Sequence, residues 1–352
     1  LVYFPEKWKH LAPTSPGLTE DRMVSFVDFP ATMLSLIGAD MPDQMDGIPF
    51  LGSKDSKKRD YVFLYRGRMD ARYDMVRAIR TDEFRYVVNY TNYRPNGQPY
   101  NYADRARTTP IWRSAWEKGE CNEAQSQYWE LKQGEELYHP ASDPDEVRNL
   151  ADQQKYESKL EELRLKCHNE ILANRDVGFI PESMYSVYAG DSTVYQYALS
   201  DAYQLEAIKE VADIAIAKDP KNLKYLKKKM KDADPLIRYW AAIGAVVLKE
   251  EAEPVKSQIL KLLEDNCPEV RIAAAEAIGY LGEQVMAVKQ ISKELEFDSS
   301  KDIHLYTYAS NVLVYLDRRF VRSLIPELEQ IAKDKRYGNA TRVAEGLLLQ
   351  LK

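Results

Sequence analysis

The chain has 352 residues, of which 45% are hydrophobic and 30% are charged, and its formal net charge is −6. This length is sufficient for two domains with buried cores, and the mildly acidic balance excludes nucleic acid as an expected partner. The basic run Lys227–Lys229 lies close to Asp232 and Asp234, and it predicts a solvated helix face. No run of about eighteen apolar residues occurs, so no membrane span is predicted.

The first elements along the chain predict a small α+β domain. Residues Leu1 to Pro5 are typical of a strand that is already under way, so we expect further sequence before them. Asp28 is predicted to cap a helix from Phe29 to Ile37, with Gly38 as its C-terminal stop.

A sheet is predicted next. Residues 61–65 predict a buried strand, and the alternation in residues 84–90 predicts an antiparallel hairpin with residues 75–79. Residues 91–128 are polar and aromatic without periodicity, which indicates a long excursion from the sheet. Residues 135–138 predict another strand of the same sheet.

An amphipathic helix is predicted to lie across this sheet. Its apolar residues fall at helical spacing, namely Tyr156, Leu160, Leu163, Cys167 and Ile171. Because Cys167 lies on the apolar stripe, we interpret it as a core thiol. The three cysteines, Cys121, Cys167 and Cys267, have no C-x-x-C spacing, which argues against a zinc site and a disulfide framework. Residues 174–192 predict an irregular joint between domains.

From about residue 193 the pattern is helical, and an internal repeat appears. The segment "DADPLIRYWAAIGAVVL" from Asp232 matches "DNCPEVRIAAAEAIGYL" from Asp265, 33 residues later, and degenerate copies follow around Ala309 and Ala344. The matched pairs are Asp232/Asp265, Pro235/Pro268, Arg238/Arg271, Ala241/Ala274 and Leu248/Leu281. Each unit predicts a helical hairpin opened by proline and resembles HEAT-like repeats of the short bacterial type. Such solenoids bind partners or brace a neighbouring domain.

Three motifs in the first half resemble one enzyme family. They are "DRMVSFVDFPATMLSLIGADMPDQMDGIPFLG" at 21–52, "DARYDMVRAIRTDEFRYVVNY" at 70–90 and "ELYHPASDPDEVRNLAD" at 136–152. In this order they resemble the C-terminal subdomain of formylglycine-dependent sulfatases of the alkaline-phosphatase superfamily. The first keeps the family pattern at Asp28, Pro30, Thr32, Leu34, Gly38, Pro42, Gly47, Phe50 and Leu51.

The third motif is similar to the closing signature of these sulfatases, with His139 in place of the usual Asp. Its matching residues are Leu137, Tyr138, Asp143, Pro144, Glu146, Asn149, Leu150 and Ala151. The hairpin and its Arg- and Tyr-rich continuation look nearest to heparan N-sulfatase and its bacterial relatives. The resemblance implies a sulfatase C-terminal subdomain at 1–173, a joint at 174–192 and a HEAT-like repeat domain at 193–352.

The resemblance also implies catalytic groups that this sequence lacks. Family members use a formylglycine made from Cys or Ser in a Cys/Ser-x-Pro-x-Arg motif, supported by calcium held by oxygen ligands. The near miss at Cys267–Arg271 has its proline in the wrong place, and the helical repeat explains Pro268 and Arg271. We therefore assign no catalytic and no metal-binding residue here, and expect calcium and formylglycine in a large α/β half upstream of Leu1. The chain alone is predicted to be inactive.

One segment is a candidate for substrate contacts at the rim of the pocket. The stretch "RGRMDARYD" holds five charged side chains, Arg66, Arg68, Asp70, Arg72 and Asp74. Guanidinium groups suit sulfate and carboxylate oxygens, and carboxylates suit sugar hydroxyls. The alternative interpretation is a set of ion pairs that orient a loop. Arg77 and Arg80 are predicted to be structural.

Aromatic and histidine residues give weaker candidates. Trp112, Trp116 and Tyr100 suit stacking on sugar rings, and buried packing is the alternative. The four histidines lie on separate elements, and none is assigned as a ligand or base: His10, His139, His168 and His304.

These observations predict the C-terminal portion of an exported sulfatase that acts on a sulfated carbohydrate, with repeats that are available to a protein partner. One alternative is a non-catalytic scaffold built from a sulfatase remnant and HEAT repeats. Another makes the repeats the main domain, related to phycobilin lyases, and predicts chromophore binding.

Overall fold

The computed structural model describes residues 2–52, 58–99 and 101–351. A four-stranded antiparallel sheet is formed, in this spatial order, by β1 (Val62–Met69), β2 (Arg72–Arg80), β3 (Arg85–Asn89) and β4 (Glu135–Tyr138). Chain neighbours are sheet neighbours, and a two-residue turn joins β1 to β2, as expected for antiparallel pairing. The predicted fold class, a small antiparallel sheet with a helical solenoid, is confirmed.

Short helices and one long helix accompany the sheet. They are α1 (Asp28–Ile37), α2 (Asn101–Asp104), α3 (Thr108–Glu117), α4 (Glu123–Ser126), α5 (Glu157–Ala173), α6 (Tyr185–Ala189) and α7 (Val194–Leu199). The predicted joint contains α6 and two 3-10 turns, Val177–Phe179 and Glu182–Met184. None of the helices in the described part of the chain is both long and apolar enough to cross a membrane.

The rest of the chain is a succession of helices. They are α8 (Leu205–Ile216), α9 (Leu223–Lys229), α10 (Pro235–Leu248), α11 (Lys256–Leu262), α12 (Pro268–Tyr280), α13 (Gln284–Leu295), α14 (Ile303–Leu313), α15 (Arg318–Val321), α16 (Ile325–Lys333) and α17 (Ala340–Leu351). The matched prolines, Pro235 and Pro268, each open a helix. Proline is favoured there because its fixed φ suits the helix and its missing N–H has no intrahelical partner.

The chain divides into two compact units, and neither is continuous in sequence. The smaller contains the stretch up to Leu64 together with Ala78–Tyr86 and Leu137–Leu163. The larger contains Tyr65–Arg77, Val87–Glu136 and the chain from Arg164 onward. The boundaries predicted at 173 and 193 stay a prediction.

The start of the chain differs from its prediction. Leu1 lies outside the described residues, and Val2 to Pro5 form no strand. A 3-10 helix at Glu6–Leu11 follows instead, with none of its residues buried. The apolar residues at the start of the chain therefore do not form a strand of the sheet.

Asp28 also has a different role from the predicted one. It is the first residue of α1, and Val27 stands at the N-cap without a side-chain hydrogen bond. The buried Asp28 carboxylate accepts hydrogen bonds from the backbone N–H groups of Ser25 and Ile48, each at 2.8 Å, and from Arg59. Burial raises the pKa of Asp28, but the hydrogen bonds from Arg59 and these N–H groups outweigh it and hold the pKa below its usual value. Asp28 thus ties loops to the helix start.

Gly47 lies in one of those loops and is required by close backbone packing. A Cβ atom at this position would stand 2.0 Å from the carbonyl oxygen of Val27. Only glycine lets the segment that carries Ile48 approach the start of α1 so closely.

Candidate functional site

The five predicted side chains of the β1–β2 hairpin belong to three separate sets of ion pairs. Arg66 and Arg72 both contact Asp74, each with a nitrogen-to-oxygen distance of 3.2 Å. Asp74 is fully buried, whereas the Arg66 side chain is 43% exposed. Lys132 also forms an ion pair with Asp74. Three cationic side chains therefore surround one buried carboxylate.

Lys132 is a member of this cluster that sequence reasoning missed. Burial lowers the pKa of Lys132, and the neighbouring Asp74 carboxylate offsets this only in part. Its flanking residues, Leu131 and Gln133, show no periodic pattern from which a buried position of Lys132 could be predicted. Only the arrival of the segment before β4 beside β2 brings this ammonium group to Asp74.

The other two predicted residues lie apart from this cluster. Arg68 forms an ion pair with Glu182, and its Nη1 donates to the carbonyl of Ala71 at 3.3 Å. Asp70 occupies the turn with a φ of 56° and forms an ion pair with Arg342 of α17. All five side chains are thus paired with other groups of the protein. This arrangement agrees with the alternative interpretation, in which ion pairs orient the loop.

Arg68 also lines a cavity in the larger unit. Six aromatic rings contribute to its wall, from β2, the segment after β3, the first 3-10 turn, α10 and α14. They are Tyr73, Tyr93, Phe179, Tyr239, Trp240 and Tyr308. Cavities with mainly aromatic and apolar walls and a few polar groups are typical of small-molecule sites.

Hydrogen bonds and ring contacts fix several of these aromatic side chains. The Trp240 indole donates to the carbonyl of Phe179 at 2.9 Å, and the Tyr73 hydroxyl donates to the carbonyl of Gly178 at 3.1 Å. Tyr239 meets Trp240 edge to face, with ring centroids 5.6 Å apart, and meets Tyr308 at 6.2 Å. The wall is therefore largely formed before any ligand arrives.

The two arginines of the cavity wall are each paired with a carboxylate. Arg68 is paired with Glu182. The His304 ring also lines the wall, and its Nδ1 lies 2.8 Å from Asp302. Arg94 donates to Glu276 at 2.7 Å, and its guanidinium lies 3.6 Å from the centre of the Tyr315 ring. Burial lowers the pKa of Arg94, but the Glu276 carboxylate outweighs this, so the pKa lies well above its usual value.

The tyrosines of the cavity keep their protons. Burial raises the pKa of Tyr73, Tyr93, Tyr239 and Tyr308 above the usual value. Neutral hydroxyl groups both donate and accept hydrogen bonds, so the wall suits a ligand with hydroxyl groups.

The repeat alignment contained a signal for this region. Glu276 occupies the position of Ile243 in the preceding copy, and both side chains are fully buried. A carboxylate in a buried apolar position demands a cationic partner. The sequence therefore contains a signal for a cationic partner from outside the repeat. It does not identify that partner as Arg94.

Two predicted stacking residues contact other aromatic side chains. Trp112 stacks on Tyr128 with centroids 4.8 Å apart, and Trp116 stacks on Trp129 at 6.2 Å. These contacts match the packing alternative, although Trp112 keeps 36% of its surface exposed. Tyr100 lies outside the described residues.

The buried cysteines are unreactive in character. Burial raises the pKa of Cys167 to about 12, and burial together with the Glu269 carboxylate raises the pKa of Cys267 to about 12. In the described part of the chain, no group of three or more His, Cys, Asp or Glu side chains is placed to hold a metal ion.

Comparison with known proteins gives two kinds of match. The HEAT repeat family matches residues 256–285, which contain α11 and α12. Two ulvan-active sulfatases of Formosa agariphila are 36% identical over 184 residues and 27% identical over 195 residues. The matches cover 52% and 50% of this chain but only 30% and 35% of the relatives' own lengths. About half of the chain is thus homologous to sulfatases, and a HEAT repeat is present.

Solved structures of sulfatases overlap with the chain only weakly. A putative sulfatase from Bacteroides thetaiotaomicron is 21% identical and a 2-O GAG sulfatase is 22% identical. Each match covers 42% of this chain and 25% of the other, with a TM-score of 0.28. At this TM-score the overlap is too limited to support an inference.

Proposed function

We propose that this chain is the C-terminal portion of an exported sulfatase that removes sulfate groups from a polysaccharide. The observation that carries the proposal is the 36% identity over 184 residues to an ulvan-active sulfatase. We propose a sulfated polysaccharide of that kind as the substrate class. The bond cleaved is a sulfate ester or an N-sulfate.

Within this function, the β1–β2 hairpin contributes contacts to the substrate. Arg66 supports this role because it is the most exposed cation of the Asp74 cluster and is held by that buried carboxylate. A guanidinium group positioned in this way presents its remaining donors to sulfate oxygens. The repeats contribute an interaction surface.

The groups that perform the hydrolysis are assigned to residues outside this sequence. The resemblance implies formylglycine and calcium, and the Cys/Ser-x-Pro-x-Arg motif of the family does not occur in this sequence. We give no residue of this chain a catalytic role, and we expect that the chain alone does not release sulfate.

The experiment measures sulfate release from ulvan oligosaccharides by the protein that contains this chain and by the chain alone. We expect release by the former only. In the former, Arg66→Ala should raise KM several-fold with little change in kcat, because it removes a binding contact. The matched control is Arg319→Ala, at an exposed arginine of α15.

Sulfate release by the chain alone would contradict the division of roles proposed here. Absence of release from any sulfated polysaccharide by the longer protein would instead favour the non-catalytic scaffold. That alternative draws support from the ion pairing of all five hairpin side chains.

A further inference from the structure

We propose that the cavity in the larger unit binds an uncharged sugar ring, held jointly by the hairpin and by the repeat helices α10 and α14. The inference goes beyond the proposed function because it assigns a binding role to repeat residues and does not require sulfate hydrolysis. It rests on the aromatic wall of the cavity, the polar groups beside it and its charge balance.

The aromatic wall suits the apolar faces of a sugar. The C–H groups of a pyranose ring pack against aromatic surfaces, as other amphipathic groups do. Tyr239 and Tyr308 present rings from two separate helices, and Tyr73 presents a third from β2. Rings from three elements give a ligand contacts on more than one side.

Amide and hydroxyl groups around these rings suit the hydroxyl groups of a sugar. Gln98 Nε2 donates to the carbonyl of Tyr73 at 3.1 Å, and Asn311 Nδ2 donates to the carbonyl of Ala71 at 2.6 Å. These bonds fix both amide groups at the cavity wall. The Ser183 hydroxyl donates to Glu269 at 2.6 Å and keeps its acceptor capacity.

The charge balance selects an uncharged ring over a sulfate group. Arg68 and Arg94 each face a carboxylate, from Glu182 and Glu276, so neither brings a surplus positive charge to the cavity. An anion in the cavity would have to compete with these carboxylates for the guanidinium groups. A neutral ligand meets no such competition.

The test uses calorimetric titration of the chain with uncharged hexasaccharides of glucose, xylose, mannose and galactose, each also in chemically sulfated form. At least one uncharged form should bind, and its sulfated form should bind no more tightly. Tyr308→Ala should weaken binding about tenfold, the loss typical of a truncated aromatic contact. Tyr195→Ala, at an exposed tyrosine of α7, should leave the affinity unchanged.

A second measurement covers the case in which Tyr308→Ala does not fold. Hydrogen exchange on the unaltered chain should then slow on sugar binding in residues 178–183 and 304–311. Binding that leaves these segments unchanged overturns the inference, as does the failure of all four uncharged sugars to bind at millimolar concentration. Tighter binding of the sulfated forms also overturns it. Sulfate release is not measured, so failure here leaves the proposed function standing.

Discussion

At the residue scale, the most informative interaction is the buried pair of Arg94 and Glu276. Glu276 is fully buried and Arg94 is 5% exposed. Arg94 also lies on the ring of Tyr315, and the hydroxyl of Tyr280 lies 3.2 Å from Glu276. The pair joins the segment after β3 to a repeat helix. The matching position of the preceding repeat copy holds the apolar Ile243, which is likewise fully buried.

Removal of the Arg94 side chain alone should therefore strongly destabilise the folded protein. We expect Arg94→Met to lower the free energy of unfolding by about 3–5 kcal/mol, because the Glu276 carboxylate stays buried without its partner. The double variant Arg94→Met, Glu276→Met should recover most of this loss, since no uncompensated charge remains. Urea unfolding followed by tryptophan fluorescence measures both. A loss below about 1 kcal/mol in the single variant would show that water reaches Glu276.

At the element scale, the matched arginines explain why the repeat keeps its sequence. Arg238 donates to both carboxylate oxygens of Asp265 at 2.8 Å, and to the carbonyl of Asp232 six residues before it. Arg271 repeats this arrangement with Glu294, at 2.6 and 2.8 Å, and with the carbonyl of Asp265. Each arginine thus closes its own turn and braces a neighbouring element.

This brace depends on the planar fork of arginine. We expect Arg271→Lys to lower the free energy of unfolding by about 2 kcal/mol, because one ammonium group cannot replace the bidentate contact with Glu294. Thermal or urea unfolding measures the change. Arg319→Lys is the matched control, since its partner Asp317 lies in the same exposed turn, and its stability should not change. Equal stability of the two variants would show that charge alone maintains the repeat.

At the scale of the whole molecule, an apolar face is exposed at α1 in the described part of the chain. Phe26, Phe29, Met33 and Ile37 follow at helical spacing and are 88%, 49%, 60% and 72% exposed. Phe26 and Phe29 stack with centroids 5.6 Å apart.

The exposed face should bind an apolar dye. We expect Met33→Gln with Ile37→Gln to reduce the fluorescence of bound anilinonaphthalene sulfonate, because contiguous apolar surface is removed. The unfolding midpoint should stay the same, since both side chains are already exposed. Leu349→Gln, at an isolated exposed leucine of α17, is the control and should leave the dye signal unchanged. A fall in the midpoint would show that Met33 and Ile37 are packed.

The sequence by itself determined the elements whose signals are local. Proline at the start of α10 and α12, the alternation in β3 and the apolar spacing in α5 each act within one element, so the periodicity predicts them. The order of three motifs likewise indicated the sulfatase resemblance. The matched Arg238 and Arg271 indicate the repeat from the sequence itself.

Only the tertiary structure decided which side chains meet. Lys132 reaches Asp74 across 58 residues of sequence, and Arg94 reaches Glu276 across 182. Asp28 was predicted to be a cap because Asp is a favoured N-cap residue, but its carboxylate accepts instead from the distant backbone N–H of Ile48. Such contacts depend on how distant segments pack, and local propensity carries no information about that packing. The cavity is a property of this packing, since its walls come from segments that no single pattern connects.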